Sequence, residues 1–320
     1  MGSTRISRAD RAAVAAVILA HQDPKMVRRL IAALDGVDIF LHCDGKAPGA
    51  YVKEMTEGGG PRVRLVPQRP TFWASWSLVE AELAALAMAL DHSAAEHVIV
   101  LSGNCYPLVS VSELADELSD WRGLSRLRLV PLPYSGWDTP RNRDGGMWRF
   151  RRRFVSVCGR SVFVGGVPLR TFHQSIPPEL RLHASSQWKI YARAHVKVLL
   201  RVVSERPDLL RFWRRSFVPD ESCAASILRS PALVGSSIAE EQRDDFPWYV
   251  DWGEGLTDHP VWLRESDFPA LGAARWAPPR TPEPNGSSAN ACGGYRKLFA
   301  RKVSSRESQL LERIDQELRV

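Results

Sequence analysis

The sequence predicts an α/β domain built on a mainly parallel central sheet flanked by helices, and three observations carry that prediction. A continuous apolar run at 12–19 is followed by Met26, Val27, Leu30, Ile31 and Leu34 at helical spacing, then by a second apolar run at 37–42. A strand, helix, strand order this compact implies a right-handed parallel crossover. Farther along, the strong helix formers SLVEAELAALAMAL at 77–90 lead into EHVIVLS at 96–102, a second helix followed by a strand.

Taken in order, the first strand stops at the polar group His21-Gln22-Asp23-Pro24, and Pro24 opens the helix that Gly36 ends. Residues 63–67 read as a third strand. Ser77 is expected to cap the helix over 77–90, with Glu80 as its reciprocal capping-box partner. The strand at 96–102 is central, so the loop Gly103-Asn104-Cys105-Tyr106-Pro107 at its carboxyl end is where an open α/β sheet binds a ligand. Residues 111–122 read as helix, 125–132 as strand, and 133–147 as a loop with Tyr134, Trp137 and Trp148 as stacking surfaces. Helices are expected over 185–200 and 221–228. A Pro, Gly, Ser and Asn-rich stretch at 274–294 reads as a mobile loop, followed by a basic segment at 295–302 and a helix over 307–318. The organisation expected is one domain over 1–273, the loop 274–294, and a segment 295–320 belonging to the same domain.

With 320 residues, 44% of them hydrophobic and 25% charged, the chain can fill a core, and wholesale disorder or a fibrous fold is excluded. The apolar run at 12–20 is far short of the ~20 residues a membrane span needs. Asp10 and Arg11 before it do not resemble a signal peptide, so a cytoplasmic location is expected. Five cysteines at irregular spacing fit free thiols rather than a disulfide framework or a zinc site. The net charge of +7 favours an anionic partner, with nucleic acid, phospholipid and nucleotide diphosphate all open.

No GxxxxGK[ST] occurs, and Gly58-Gly59-Gly60 lacks the strand-to-helix setting of a dinucleotide fingerprint. Neither Asp-x-Asp nor His-Glu-x-x-His is present, so no local motif supports a metal. The run from Trp148 to Phe154 has the residue types for phosphate contacts and base stacking, but a charged rim around an anionic site explains it better.

Four segments inform more together than apart. His42-Cys43-Asp44-Gly45-Lys46 ends the second strand, LSGNCYPL at 101–108 ends the central one, Pro219-Asp220-Glu221 precedes a helix, and FARK at 299–302 follows the loop. With AHQDP, SLVEAEL, SSQWKIYAR and WYVDW followed by His259-Pro260, in that order from about Val17 to Lys302, they resemble the core-2/I-branching β-1,6-N-acetylglucosaminyltransferase and peptide O-xylosyltransferase family, in its short bacterial form.

That resemblance implies a GT-A-like nucleotide-sugar-binding fold and inverting transfer from a UDP-sugar, without cofactor or metal, to a glycoside, glycan, secondary-metabolite or peptide hydroxyl. It implies that Glu221 is the catalytic base, and that Arg301 and Lys302 face the UDP diphosphate, supplying the positive charge a divalent cation otherwise would. It places Asp44, with His21 beside it and Ser102, on the donor side, and Trp252, Asp220 and Trp188 on the acceptor side, where an indole suits a pyranose face. Three departures bear on specificity. Cys105 stands where the family has an acidic residue, Trp73-Ala74-Ser75-Trp76 replaces a glycine-containing segment, and 274–294 is an unusual insertion. N-acetylglucosamine is the sugar expected; UDP-xylose or another nucleotide sugar is the alternative. A non-catalytic binder of nucleic acid or anionic glycans is the rival from another class. Neither a nucleic-acid partner nor a membrane span is expected.

Overall fold

A computed structural model describes residues 14–253, 259–282 and 294–320. Among them, seven strands form one sheet. In chain order these are β1 (Val14–Ala20), β2 (Asp38–Cys43), β3 (Val63–Leu65), β4 (His97–Ser102), β6 (Ser125–Leu127), β7 (Lys189–Ala192) and β8 (Gln242–Asp244), in the spatial order β8-β6-β7-β4-β1-β2-β3. Only β7 runs against its neighbours. A smaller three-stranded sheet joins β5 (Cys105–Pro107), β9 (Trp248–Val250) and β10 (Phe299–Arg301), with β10 in the middle. The helices used below are α1 (Pro24–Ala33), α2 (Gly49–Thr56), α3 (Trp76–His92), α4 (Val111–Ser119), α5 (Arg193–Glu205), α6 (Cys223–Leu228), α7 (Phe268–Trp276) and α8 (Ser308–Arg313). This is a GT-A-like α/β fold, as the sequence predicts.

The unbroken apolar run of β1 has a simple cause: both faces of the strand are covered. Ala15, Val17 and Leu19 share a cluster with Ala81, Ala85, Leu86 and Ala89 of α3. The alternate residues Ala16, Ile18 and Ala20 meet Val27, Leu30 and Ile31 of α1. Alanines at i, i+4 and i+8 on α3 keep that helix close to the sheet.

Several elements depart from expectation. The cap of α3 is Ser75, whose hydroxyl accepts from Ser77 N at 3.3 Å. The Ser77 hydroxyl instead accepts from Phe72 N, and Glu80 accepts from Trp76 Nε1 at 2.9 Å, so no capping box forms there. One forms at α4, between Ser110 and Glu113. The helix expected over 185–200 is really β7 followed by α5. Lys189-Ile190-Tyr191-Ala192 is buried at every position and fills the place between β4 and β6. Tertiary pairing overrides local propensity here. Its buried Lys189 ammonium is neutralised by Glu82 at 2.9 Å.

The loop 103–107 contains β5, the strand expected over 125–132 ends at Leu127 and resumes as a bridge-length piece at Val130–Pro131, and 133–147 holds a 3-10 turn at Ser135–Trp137. Residues 219–221 are a 3-10 turn before α6, so Glu221 precedes the helix. Residues 274–276 belong to α7, while 283–293, with Cys292, lie outside the described residues. The terminal helix starts at Ser308 and widens to a π-turn at Ile314–Leu318. Cys43, Cys105, Cys158 and Cys223 are free thiols. Among the described residues, no helix is long and apolar enough to cross a membrane.

Candidate functional site

The strand order turns back between β1 and β4, since α3 carries the chain from β3 over to the far side of β1. Carboxyl ends of strands at such a reversal leave a crevice. A cleft of about 630 Å³ lies there, lined by His21 after β1, Asp44 after β2, Ser102 at the end of β4 and Arg301 at the end of β10. Gly103 is required at this junction, because a Cβ would come within 2.9 Å of Val27 Cγ2 and 3.2 Å of Ala20 Cβ.

One wall is cationic. Strand β10 runs antiparallel to β5 and sets Arg301 opposite Cys105. Arg301 Nη1 donates to Ser102 Oγ, and the guanidinium lies 4.2 Å from the Trp188 ring. Its Nε is buried with no hydrogen-bond partner. Burial pushes its pKa below the usual arginine value. His21 at the rim is also held low, first by partial burial, with Arg301, Lys46 and Lys302 adding to that and Asp44 opposing it. Asp44 accepts from Lys46 N (2.8 Å), Lys46 Nζ (2.7 Å), Thr71 N (3.3 Å) and Thr71 Oγ (2.6 Å). Although burial opposes it, these bonds hold the carboxylate below its ordinary pKa.

The segment after Arg301 is tied down from two sides. Asp23, which caps α1 through Met26 N, also accepts from Ser304 Oγ (3.1 Å), Ser305 N (2.9 Å) and Ser305 Oγ (2.5 Å). Asn104 Nδ2 donates to Val303 O at 3.1 Å, and Val303 N donates to Asn104 O at 3.0 Å. Asp23 and Asn104 are therefore positioning residues that sequence reading passed over; their signal is a side chain with short-range polar reach in each of the two loops bordering the cleft.

The other wall is acidic. Val218, at φ 51° and ψ 55°, places Pro219-Asp220-Glu221 at the cleft. A β-branched residue in that region is strained. Ala74, at φ 60°, faces it across a hydrogen bond from Val218 N to Ala74 O at 3.4 Å. Asp220 is buried and its Oδ1 has no partner. Burial, and then the charge of Glu221, push its pKa up to about 7. The Glu221 side chain stays about one-third exposed, with Oε2 3.4 Å from Arg149 Nη1. Burial raises its pKa, while Arg149, Lys189 and Arg128 pull it down. Behind both carboxylates, Glu82 accepts from Lys189 Nζ and from Tyr191 OH at 2.8 Å.

Of the residues singled out in the sequence, His21, Asp44, Ser102, Trp188, Asp220, Glu221, Trp252 and Arg301 line this one cleft. Lys302 does not; its Nζ lies 4.1 Å from the Trp262 ring. Trp188, expected on a helix, stands just ahead of β7 and is 7% exposed, packed on the cationic side beneath Arg301. Trp252 is 40% exposed at the mouth. Trp73 also lines the cleft and was not assigned from sequence. The stacking surfaces expected of Trp137 and Trp148 are engaged internally: Arg149 lies 4.0 Å from the Trp137 ring, and Trp148 packs at 5.3 Å on Phe217. Among the described residues, no group of three or more His, Cys, Asp or Glu side chains is arranged to hold a metal ion.

Residues 14–271 match the family described as Core-2/I-Branching enzyme. A mouse protein named beta-1,3-galactosyl-O-glycosyl-glycoprotein beta-1,6-N-acetylglucosaminyltransferase 4 is 24% identical over 237 residues, covering 72% of this chain. The chain spans 50% of that relative's length. A solved Bacillus anthracis structure, provisionally described as a glucose-1-phosphate thymidylyltransferase in complex with a sucrose, aligns at 12% identity over 58% of this chain and 74% of its own, with a TM-score of 0.30.

Proposed function

The chain belongs to the Core-2/I-branching enzyme family of glycosyltransferases, and from that premise we propose that it transfers a sugar from a UDP donor to an acceptor hydroxyl with inversion and without a metal ion. The observation that carries this reading is the pairing, in one cleft at the sheet reversal, of a partly exposed carboxylate, Glu221, with a buried guanidinium, Arg301.

In the proposed reaction the acceptor oxygen attacks the anomeric carbon from the face opposite the diphosphate. Its proton passes to Glu221 as the new C–O bond forms, and the old bond breaks with its electron pair leaving on UDP. A pKa raised by burial makes Glu221 a better acceptor for that proton. Arg301 neutralises the leaving diphosphate from a rigid seat on Ser102 and Trp188, where little reorganisation is needed at the moment of transfer. Lys302 adds its ammonium once it leaves Trp262. His21 and Asp44 border the nucleoside end. Trp252 and Asp220 border the acceptor. N-acetylglucosamine is the donor sugar favoured by the named relative, and UDP-xylose is the alternative. The acceptor is a glycoside, glycan or peptide.

Calorimetric titration of UDP, with and without EDTA or added Mg²⁺ or Mn²⁺, tests the donor class and metal independence together. Binding that ignores EDTA supports the reading, and absence of binding under every condition overturns it. A panel of UDP-sugars then identifies the donor.

A further inference from the structure

Between Gly145 and Pro178 the chain carries six arginines and no aspartate or glutamate. This segment folds into three small antiparallel pairs beside the cleft: Arg152–Phe154 with Arg170–His173, Ser156–Val157 with Arg160–Ser161, and Phe163–Val164 with Val167–Pro168. Two-residue turns close the second and third pairs. Both use positive φ at their central positions, Cys158-Gly159 and Gly165-Gly166, which matches the twist of tight hairpins.

The pairs present large apolar side chains to solvent. Phe172 is 79% exposed, Val164 64% and Val157 60%. Arg151, Arg152, Arg153 and Arg160 are exposed in the same segment. The patch is continuous with the cleft, because Phe163 stacks on the cleft residue Trp73 at 6.1 Å and an interplanar angle of 24°.

We infer that residues 152–173 form a docking surface for an anionic membrane. Cationic side chains interleaved with exposed apolar ones fit a layer of acidic headgroups over hydrocarbon. A nucleic acid would be served by aromatic faces for stacking. Here the aromatic residues of the run from Trp148 to Phe154 are turned inward, with Phe154 5.0 Å from Phe217, Phe163 is stacked on Trp73, and Val157, Val164 and Leu169 share the exposed positions with Phe172. Docked this way, the mouth of the cleft near Trp73 lies at the membrane and takes an acceptor borne on a lipid. The membrane contact stands independently of glycosyl transfer; only the lipid-borne acceptor rests on the function proposed above.

Flotation with vesicles of phosphatidylcholine, alone or mixed with phosphatidylglycerol, tests this. The intact chain should bind only the anionic vesicles, and less as salt rises. The double variant Arg152→Ala/Arg153→Ala should lose about fivefold in vesicle affinity per arginine at low salt. Val164→Glu/Phe172→Glu should lose at least that much, and UDP titration of both variants should match the parent. Equal binding to neutral vesicles, undiminished binding by both variants, or displacement from vesicles by a single-stranded oligonucleotide would each overturn the inference, the last in favour of a nucleic-acid surface. Vesicle binding without UDP binding would sink the transferase reading and leave this one standing.

Discussion

The two walls of the cleft are built by opposite means. On the cationic wall, polar groups are seated on strand ends and tied from several directions: Asp44 accepts four hydrogen bonds, and Asp23 ties residues 304–305 to the start of α1. The acidic wall hangs on a strained turn at Val218, carries an unpartnered carboxylate oxygen on Asp220, and crowds two acids together. The first arrangement holds fixed charge in place for a leaving anion. In the second, burial and crowding store a readiness to accept a proton, at some expense in stability.

The sharpest way to break this contrast is Glu221→Gln. It should lower kcat by ~10²–10⁴-fold, the range of general-base contributions, while UDP affinity measured by calorimetry stays within error. Retained turnover would remove Glu221 from the chemistry. Arg301→Ala should act on the opposite property and weaken UDP binding by roughly 10–100-fold, the worth of a hydrogen bond to a charged group. Lys302→Ala should cost less, because its ammonium rests against Trp262 outside the cleft lining.

A third test concerns the proton. Asp220 and Glu221 titrate together, so activity should rise with pH through the neutral range, where the pKa of Asp220 stands at about 7. Asp220→Asn removes the neighbouring negative charge and should move the acid limb of the pH–rate profile down by about one unit. Stability gives a second readout with a definite sign. The folded chain holds a proton on Asp220 that the unfolded chain releases near 3.8, so stability falls as pH rises from there to about 7 and levels off above. The Asn variant should flatten that slope in urea unfolding.

The smallest effect expected is Ala74→Gly. Relief of a positive φ of 60° is worth ~1–2 kcal/mol, and the added freedom of the unfolded chain takes back ~0.4–1 kcal/mol. A small net stabilisation in Tm with unchanged kcat would show that the acidic wall tolerates strain without needing it at this position.

Most strands and helices of the first hundred residues were legible because each has a single period, whereas the short helix α2, with Met55 as its one buried residue, was not. β1 is apolar throughout since both faces are covered, and α1 carries its apolar residues at helical spacing. Lys189–Ala192 was not legible, because its strand state depends on a slot between β4 and β6 that only the assembled sheet provides, and on Glu82 far away in sequence to neutralise Lys189. The cleft shows the same division. The loop that ends β4 follows from the topology, and His21, Asp44 and Ser102 follow from the family resemblance. The clamps by Asp23 and Asn104 do not, because their partners lie about two hundred or more positions later.

That clamp also sets an order of events during synthesis. Asp23 and Ser305 are 282 positions apart, and β5 must wait for β10 to fill the middle of its sheet. A nascent chain that already carries the Asp220-Glu221 turn still lacks Arg301 and the strand that seats it. Domains generally fold as units, so the cleft cannot be completed before this last segment has been made. The completed cleft thus depends on the last part of the chain to be made: a polypeptide released between residues 221 and 305 carries Asp220 and Glu221 but lacks the completed clamp of the cationic wall.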